Sequence, residues 1–150
     1  RGHYNHLELL NRVRKCGSIK KAVTELGIKD SIVLTCIEKN IPLVLAGSIR
    51  DDGPLPEVIP DVYSAQDIMR TFARKSTTVI ALATQLHSIA FGNMLPSYRV
   101  ENDTVRPVYF YIVDISEFAV DKLANRGSFQ ATGISTNVQD FCVNLERALL

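Results

Sequence analysis

Val108-Tyr-Phe-Tyr-Ile-Val113, closed by Asp114, decides the fold. Every residue in it is β-branched or aromatic, the types that suit a pleated and packed surface, and it gives the strongest strand signal in the chain. Downstream, Ser116 is placed to cap a helix from Glu117 to Asn125 that Gly127 closes, before a short strand near Ala131 to Ile134 and a last helix from Asn137 to Leu149. Upstream, Thr77 to Ala83 (Thr-Thr-Val-Ile-Ala-Leu-Ala) reads as another strand. Thr84-Gln-Leu-His-Ser-Ile-Ala-Phe-Gly-Asn93 leads off it as a helix whose first turn exposes backbone amides and which Gly92 and Pro96 end. Ser97 to Arg106 is polar and reads as an exposed loop. Strands separated by helices of this length imply parallel pairing through right-handed crossovers, so the expected architecture is a doubly wound, mostly parallel, Rossmann-like α/β sheet.

The amino-terminal half is helical first. Leu7, Leu10, Val13 and Arg14 follow helical spacing from His3 to Lys15, with Gly17 as C-cap. Ser18 heads a second helix to Leu26, closed by Gly27, and Asp30 or Ser31 starts a third that runs to Lys39. Pro42 to Ala46, short and rich in leucine, reads as the first buried strand. It stops abruptly at Gly47, and Arg50, Asp51, Asp52 and Gly53-Pro54 follow. Ser64 with Asp67 resembles a capping box for a helix to about Lys75, with Ile68, Met69 and Phe72 facing inward; Met69, Phe72 and Phe118 read as core.

The totals exclude several classes. With 150 residues, 46% hydrophobic and 22% charged, the chain fits one soluble domain with a real core. A net charge of +1 gives no reason to expect nucleic acid or an anionic membrane as partner. Cys16, Cys36 and Cys142 are odd in number and widely spaced, which suits a reducing compartment, cytoplasm by default, without structural zinc. No apolar stretch approaches the length of a membrane span. The chain begins at Arg1 rather than methionine, which is compatible with a fragment or a processed form.

Three strand ends turn polar together: Gly47 to Asp52, Thr84 to His87, and Asp114. In an open parallel sheet, ligands bind outside the carboxyl ends of the strands. An acidic residue there can accept from a ribose diol, a role open to Asp114; capping the next helix is the competing role. His87 alone could be structural, Asp52 could be a turn residue, and Arg50 with Asp51 a surface pair. His3 and His6 have a metal-compatible spacing but no third ligand nearby. No Gly-x-Gly, P-loop or Gly-x-Ser-x-Gly elbow is present. A dinucleotide pyrophosphate would therefore need another backbone segment, such as the amides after Thr84.

Val44-Leu-Ala-Gly-Ser-Ile-Arg-Asp-Asp-Gly-Pro-Leu-Pro-Glu-Val58, Ala83-Thr-Gln-Leu-His-Ser-Ile-Ala-Phe-Gly-Asn-Met-Leu-Pro96 and Val113-Asp-Ile115 together resemble the archaeal-type ornithine cyclodeaminase family. It is also called the lysine-oxoglutarate reductase/saccharopine dehydrogenase conserved-domain family, and it includes the carboxyl-terminal part of the bifunctional arginine dihydrolase/ornithine cyclodeaminase. The resemblance runs from Gly17 onward. It implies a deoxyhypusine-synthase-like NAD-binding fold and a cytoplasmic lyase of arginine catabolism and proline biosynthesis, a homo-oligomer acting on a small amino acid. The implied reaction turns ornithine into proline and ammonia and is internally redox-neutral: a hydride leaves the amino-bearing carbon for NAD and returns after cyclisation and loss of ammonia. Implied NAD contacts are Asp52, Thr84, Gln85, Leu86, His87, Asp114, Ile134 and Ser135. His87 and Asp51 are candidates for proton transfer, and no catalytic residue is assigned. The family's upstream asparagine and glycine-rich segment has no counterpart, so residues 1–150 are expected to form the carboxyl-terminal portion of the NAD-binding domain; Ser97 to Arg106 also looks longer than the family's loop. The alternatives are a non-catalytic nucleotide-binding or assembly module, or a related NAD enzyme acting on another amino acid.

Overall fold

The computed structural model describes residues 2–47, 55–124 and 131–150. They group into two compact units, residues 1–69 and 70–150.

In the first unit, α1 (Gly2–Cys16), α2 (Ile19–Glu25) and α3 (Ile32–Glu38) pack in succession, burying Ala22, Val23 and Cys36. Gly17, at φ +72, takes the left-handed conformation that ends α1 and donates its N–H back to the Val13 and Arg14 carbonyls. Ser31 caps α3, its Oγ accepting from Leu34 N at 3.0 Å. The strand expected from Pro42 to Ala46 does not form. The segment makes one parallel bridge, Ala46 to Ile59, with Gly47 N to Ile59 O at 2.9 Å and Ile59 N to Leu45 O at 2.8 Å. Pro42 has no N–H to give a ladder, and among the described residues only Ile59 pairs with the run.

Helix α4 (Val62–Ala73) starts earlier than expected. Asp61 caps it rather than Ser64: Asp61 Oδ2 accepts from Ser64 N at 2.7 Å, and bonds from the Ser64 hydroxyl and amide hold this carboxyl below the ordinary 3.8. The inward positions also differ. Ala65 and Ala73 are buried and Met69 half-buried, an i, i+4, i+8 stripe, whereas Ile68 and Phe72 flank it exposed.

In the second unit, β1 (Thr78–Leu82), β4 (Tyr109–Asp114) and β5 (Ala131–Ser135) form a parallel sheet in the order β1-β4-β5. The registers pair Val79 with Phe110, Ala81 with Ile112, Phe110 with Ala131 and Ile112 with Gly133. Those residues share one face, and there Ala81, Phe110 and Ile112 form a core with Val79, Ile89, Leu95 and Ala131. Burying Ile112, at 2% exposure, stabilises the sheet by about 1.5–3 kcal/mol. Helices α5 (Gln85–Met94) and α6 (Glu117–Ala124) pack on each other and on these strands, and α7 (Val138–Leu149) contacts β4. Gly92 lies inside α5 rather than ending it, because α5 crosses Phe110 so closely that a Cβ there would stand 2.8 Å from Phe110 Cε1. Gly133 likewise admits Val120 of α6, whose Cγ1 would be 2.1 Å from an added Cβ. Phe118 is not core: it is 68% exposed, with Lys122 Nζ 5.6 Å from its ring centroid.

Ser97 to Arg106 is not a loop. It contains an antiparallel hairpin, β2 (Tyr98–Glu101) and β3 (Thr104–Pro107), turned by Asn102 and Asp103, at φ +51 and +59. Two left-handed central residues are what a two-residue type I′ turn requires, and Asn and Asp tolerate that conformation.

Gly133→Ala should lower unfolding free energy by about 1–3 kcal/mol through overpacking. Combined with Val120→Ala it should lose clearly less than the two single losses added; strict additivity in denaturant midpoints would show that this approach is not limiting. Asp61→Asn tests the α4 cap. Asn caps as well as Asp but does not titrate. Because the Asp61 pKa is depressed, its contribution is present above the unfolded pKa and disappears as pH falls through the folded one. The variant should match wild type near neutrality and lose less stability below about pH 4; coincident acid limbs would remove Asp61 from the acid response.

Candidate functional site

Parallel registry carries the strand ends to one edge of the sheet. Leu82 pairs with Val113, Val113 with Ile134, and Asp114 with Ser135. The bonding continues one residue past two strands: Ala83 N donates to Val113 O and Thr136 N to Asp114 O, each at 3.0 Å. Helices α5, α6 and α7 begin within three residues of this edge. Thr84, Gln85, Leu86, His87, Asp114, Ile134 and Ser135 are therefore brought together along it. Asp52, with Arg50 and Asp51, lies outside the described residues. His3 and His6 sit on the exposed helix α1.

The turn from β1 into α5 departs from ordinary local preferences. Ala83 has φ +50, a left-handed conformation that costs a residue with a Cβ about 1 kcal/mol or more. Thr84 occupies the N-cap position, yet its side chain caps no backbone amide. Its Oγ1 is instead 2.9 Å from His87 Nδ1. Its carbonyl accepts from the hydroxyl of Ser88, which is 2% exposed and fixes the first turn from inside. Gln85 is half-buried, His87 is exposed, and Leu86 is 73% exposed, an apolar side chain left to solvent at the head of a helix.

Asp114 is half-buried at the end of β4, and its Oδ1 accepts from Ser116 N at 2.8 Å. This is the Asx-turn geometry that re-aims a chain from strand to helix. The turn occupies one oxygen. A carboxylate offers about four lone-pair sites on two oxygens, so Oδ2 can still accept from a ligand hydroxyl. The two roles weighed for Asp114 are thus compatible.

Ala83 and Ser88 gave no sequence signal, since alanine rarely adopts positive φ and a serine one turn into a helix is ordinary. The Thr84–His87 pair did leave one: a threonine followed three residues later by a side chain able to reach back has the spacing of a capping box. A concavity of about 300 Å³ lies elsewhere, in the first unit, lined by Asn5, Glu8, Leu9, Arg12, Leu26 and Ile28; Glu8 and Arg12 already pair with each other. No helix among the described residues is long and apolar enough to cross a membrane.

A parallel sheet from whose polar carboxyl edge successive helices depart defines an α/β domain of the Rossmann type. The chain belongs to the family described as arginine dihydrolase ArgZ-like, C-terminal, Rossmann fold, which matches residues 1–145. It is 48% identical over 140 residues to the ornithine cyclodeaminase of Methanocaldococcus jannaschii, a match covering 93% of this chain and 31% of that protein. The crystal structure of a conserved LOR/SDH protein from Methanococcus maripaludis S2 matches with a TM-score of 0.84 and 44% identity, over 99% of this chain and 43% of that one. A crystal structure of the ternary complex of AgrE with ornithine and NAD+ matches with a TM-score of 0.84 and 38% identity, over 99% of this chain and 20% of that one. The chain spans about a third of the length of the curated ornithine cyclodeaminases it matches.

Replacing Asp114 by Ala should remove the turn bond to Ser116 N and lower stability by about 0.5–1.5 kcal/mol, whereas Asn retains an acceptor and should keep most of it. Equal unfolding midpoints for Ala and wild type would show that the bond does not hold the turn.

Proposed function

We propose that this chain forms the carboxyl-terminal portion of the NAD-binding domain of an ornithine cyclodeaminase, a cytoplasmic, homo-oligomeric lyase that converts ornithine to proline and ammonia. The observation that carries this reading is the meeting of Thr84–His87, Asp114 and Ile134–Ser135 on one carboxyl edge of a Rossmann-type sheet. It is supported by membership of the ArgZ-like family and by likeness to a protein crystallised with ornithine and NAD+.

The residues present suit the cofactor. Asp114 keeps one oxygen for a ribose diol while its other holds the turn. Ala83 adopts a positive φ where β1 turns tightly into α5, and the first amides of that helix begin at the edge. Leu86 offers an exposed apolar surface to the rings or sugars of a dinucleotide, with Ile134 and Ser135 at the far end of the same edge. Asp52, the remaining NAD contact that the family resemblance implies, lies outside the described residues. Bound NAD would supply reversible hydride acceptance, which lets loss of ammonia and ring closure proceed without net oxidation. The chain's own part is to bind, orient and shield that group from water.

The full-length protein, given NAD and ornithine, should form proline and ammonia in equal amounts and should release little ammonia from lysine or arginine. Folded protein that yields neither product would sink the proposal. In the same protein, Asp114→Asn should leave stability nearly intact and weaken NAD by about 1–3 kcal/mol, the loss expected for a charged hydrogen bond. An unchanged dissociation constant by calorimetry would confine Asp114 to the turn.

A further inference from the structure

The Thr84 side chain, at the sheet edge, does not make the capping bond its position offers. Threonine at an N-cap ordinarily accepts from a backbone N–H two or three residues on. Thr84 has the extended backbone of an N-cap, φ −148 and ψ 110, and makes no such bond. Its Oγ1 lies instead 2.9 Å from the Nδ1 of His87, one turn into the helix. The hydroxyl is thereby committed to the imidazole rather than to the helix amides.

We infer that Thr84 is the positioning residue for His87, holding Nδ1 so that Nε2 is the nitrogen the ring presents to an anionic oxygen of the ligand. The identity of that ligand rests on the proposed function, in which the oxygen belongs to the NAD pyrophosphate. With the Thr84 hydroxyl donating to Nδ1, one of the two roles open to it, the ring proton sits on Nε2 and Nε2 is a donor. His87 is exposed, free to meet a ligand, and Ser88, buried behind it, anchors the turn through the Thr84 carbonyl. His87 places a side-chain donor beside the first amides of α5.

The inference separates Thr84 acting through His87 from Thr84 touching the cofactor itself. In the full-length protein, Thr84→Val should weaken NAD roughly threefold to tenfold, the range for one net hydrogen bond. His87→Ala should weaken it at least as much, and the double variant no further than His87→Ala alone. Thr84→Ser, which keeps the hydroxyl, should restore affinity. Nitrogen-15 spectra of the imidazole give a readout independent of binding: the Nδ1 resonance of His87 should move in Thr84→Val and return in Thr84→Ser. The Michaelis constant for ornithine should follow neither variant; a change there with NAD affinity intact would move the oxygen to the substrate carboxylate and overturn the pyrophosphate assignment. Additive losses in the double variant, or an Nδ1 resonance indifferent to Thr84→Val, would overturn the positioning role. Wild-type protein that binds no NAD would instead overturn the proposed function, and the imidazole spectrum would still decide the Thr84–His87 pairing by the same criterion.

Discussion

The in-register pairing of β4 with a neighbour on each side is the constraint on which the second unit depends. Because side chains alternate along a strand, the registers that put Phe110 and Ile112 beside Val79, Ala81, Ala131 and Gly133 also decide which residues end the ladder together. A slip of one residue would take Phe110 and Ile112 off the helix-covered face and move Asp114 away from Ser135. The core and the polar edge are therefore specified by the same pairing: burial sets the register, and the register delivers the edge.

Close approach of the helices reinforces that register. Gly92 lets α5 ride over Phe110, and Gly133 lets Val120 of α6 reach the floor of β5. Each glycine is matched to one large side chain on a neighbouring element, so a displaced strand would meet a clash at one contact and leave a void at another. Where the helices start relative to the edge follows from these two approaches more than from intrinsic helix propensity.

How much of this the sequence revealed varied with the kind of force at work. β4 was legible because β-branched and aromatic density is a local property, and the alternation of strands with helices was enough for a Rossmann-like parallel sheet. Pro42 to Ala46 looked like a strand for the same local reasons and is not one, since a strand also needs a partner, and that is a non-local fact. The polarity of Tyr98 to Pro107 masks the hairpin, and Asn102-Asp103 between Val-containing segments is its local signal. Asp61 and Ser64 are both good caps, and only the entry of the chain chooses Asp61. Gly92 read as a helix end when its real partner, Phe110, stands eighteen positions on. At the edge, residue types and order are legible in the sequence, while the turn bond of Asp114 and the pairing of Thr84 with His87 are matters of side-chain geometry.

The segment from Ala83 to His87 concentrates departures from local preference. Of the five positive-φ residues other than glycine among those described, three are Asn or Asp, whose short polar side chains tolerate the conformation, and two of those three make the hairpin turn. Ala83 has no such excuse, and glycine would sit there with less strain. Thr84 withholds its cap, and Leu86 exposes an apolar side chain in the same first turn. Each departure costs a fraction of a kilocalorie to a few kilocalories per mole, and none is needed to bury the sheet. Folding stability alone would replace them with glycine, a capping threonine and a polar residue. The consistency of the surrounding core, held by Ala81, Phe110 and Ile112, is what allows these departures to persist. The strain therefore points to the same edge that the register builds, by a route independent of Asp114 and of the ends of β5.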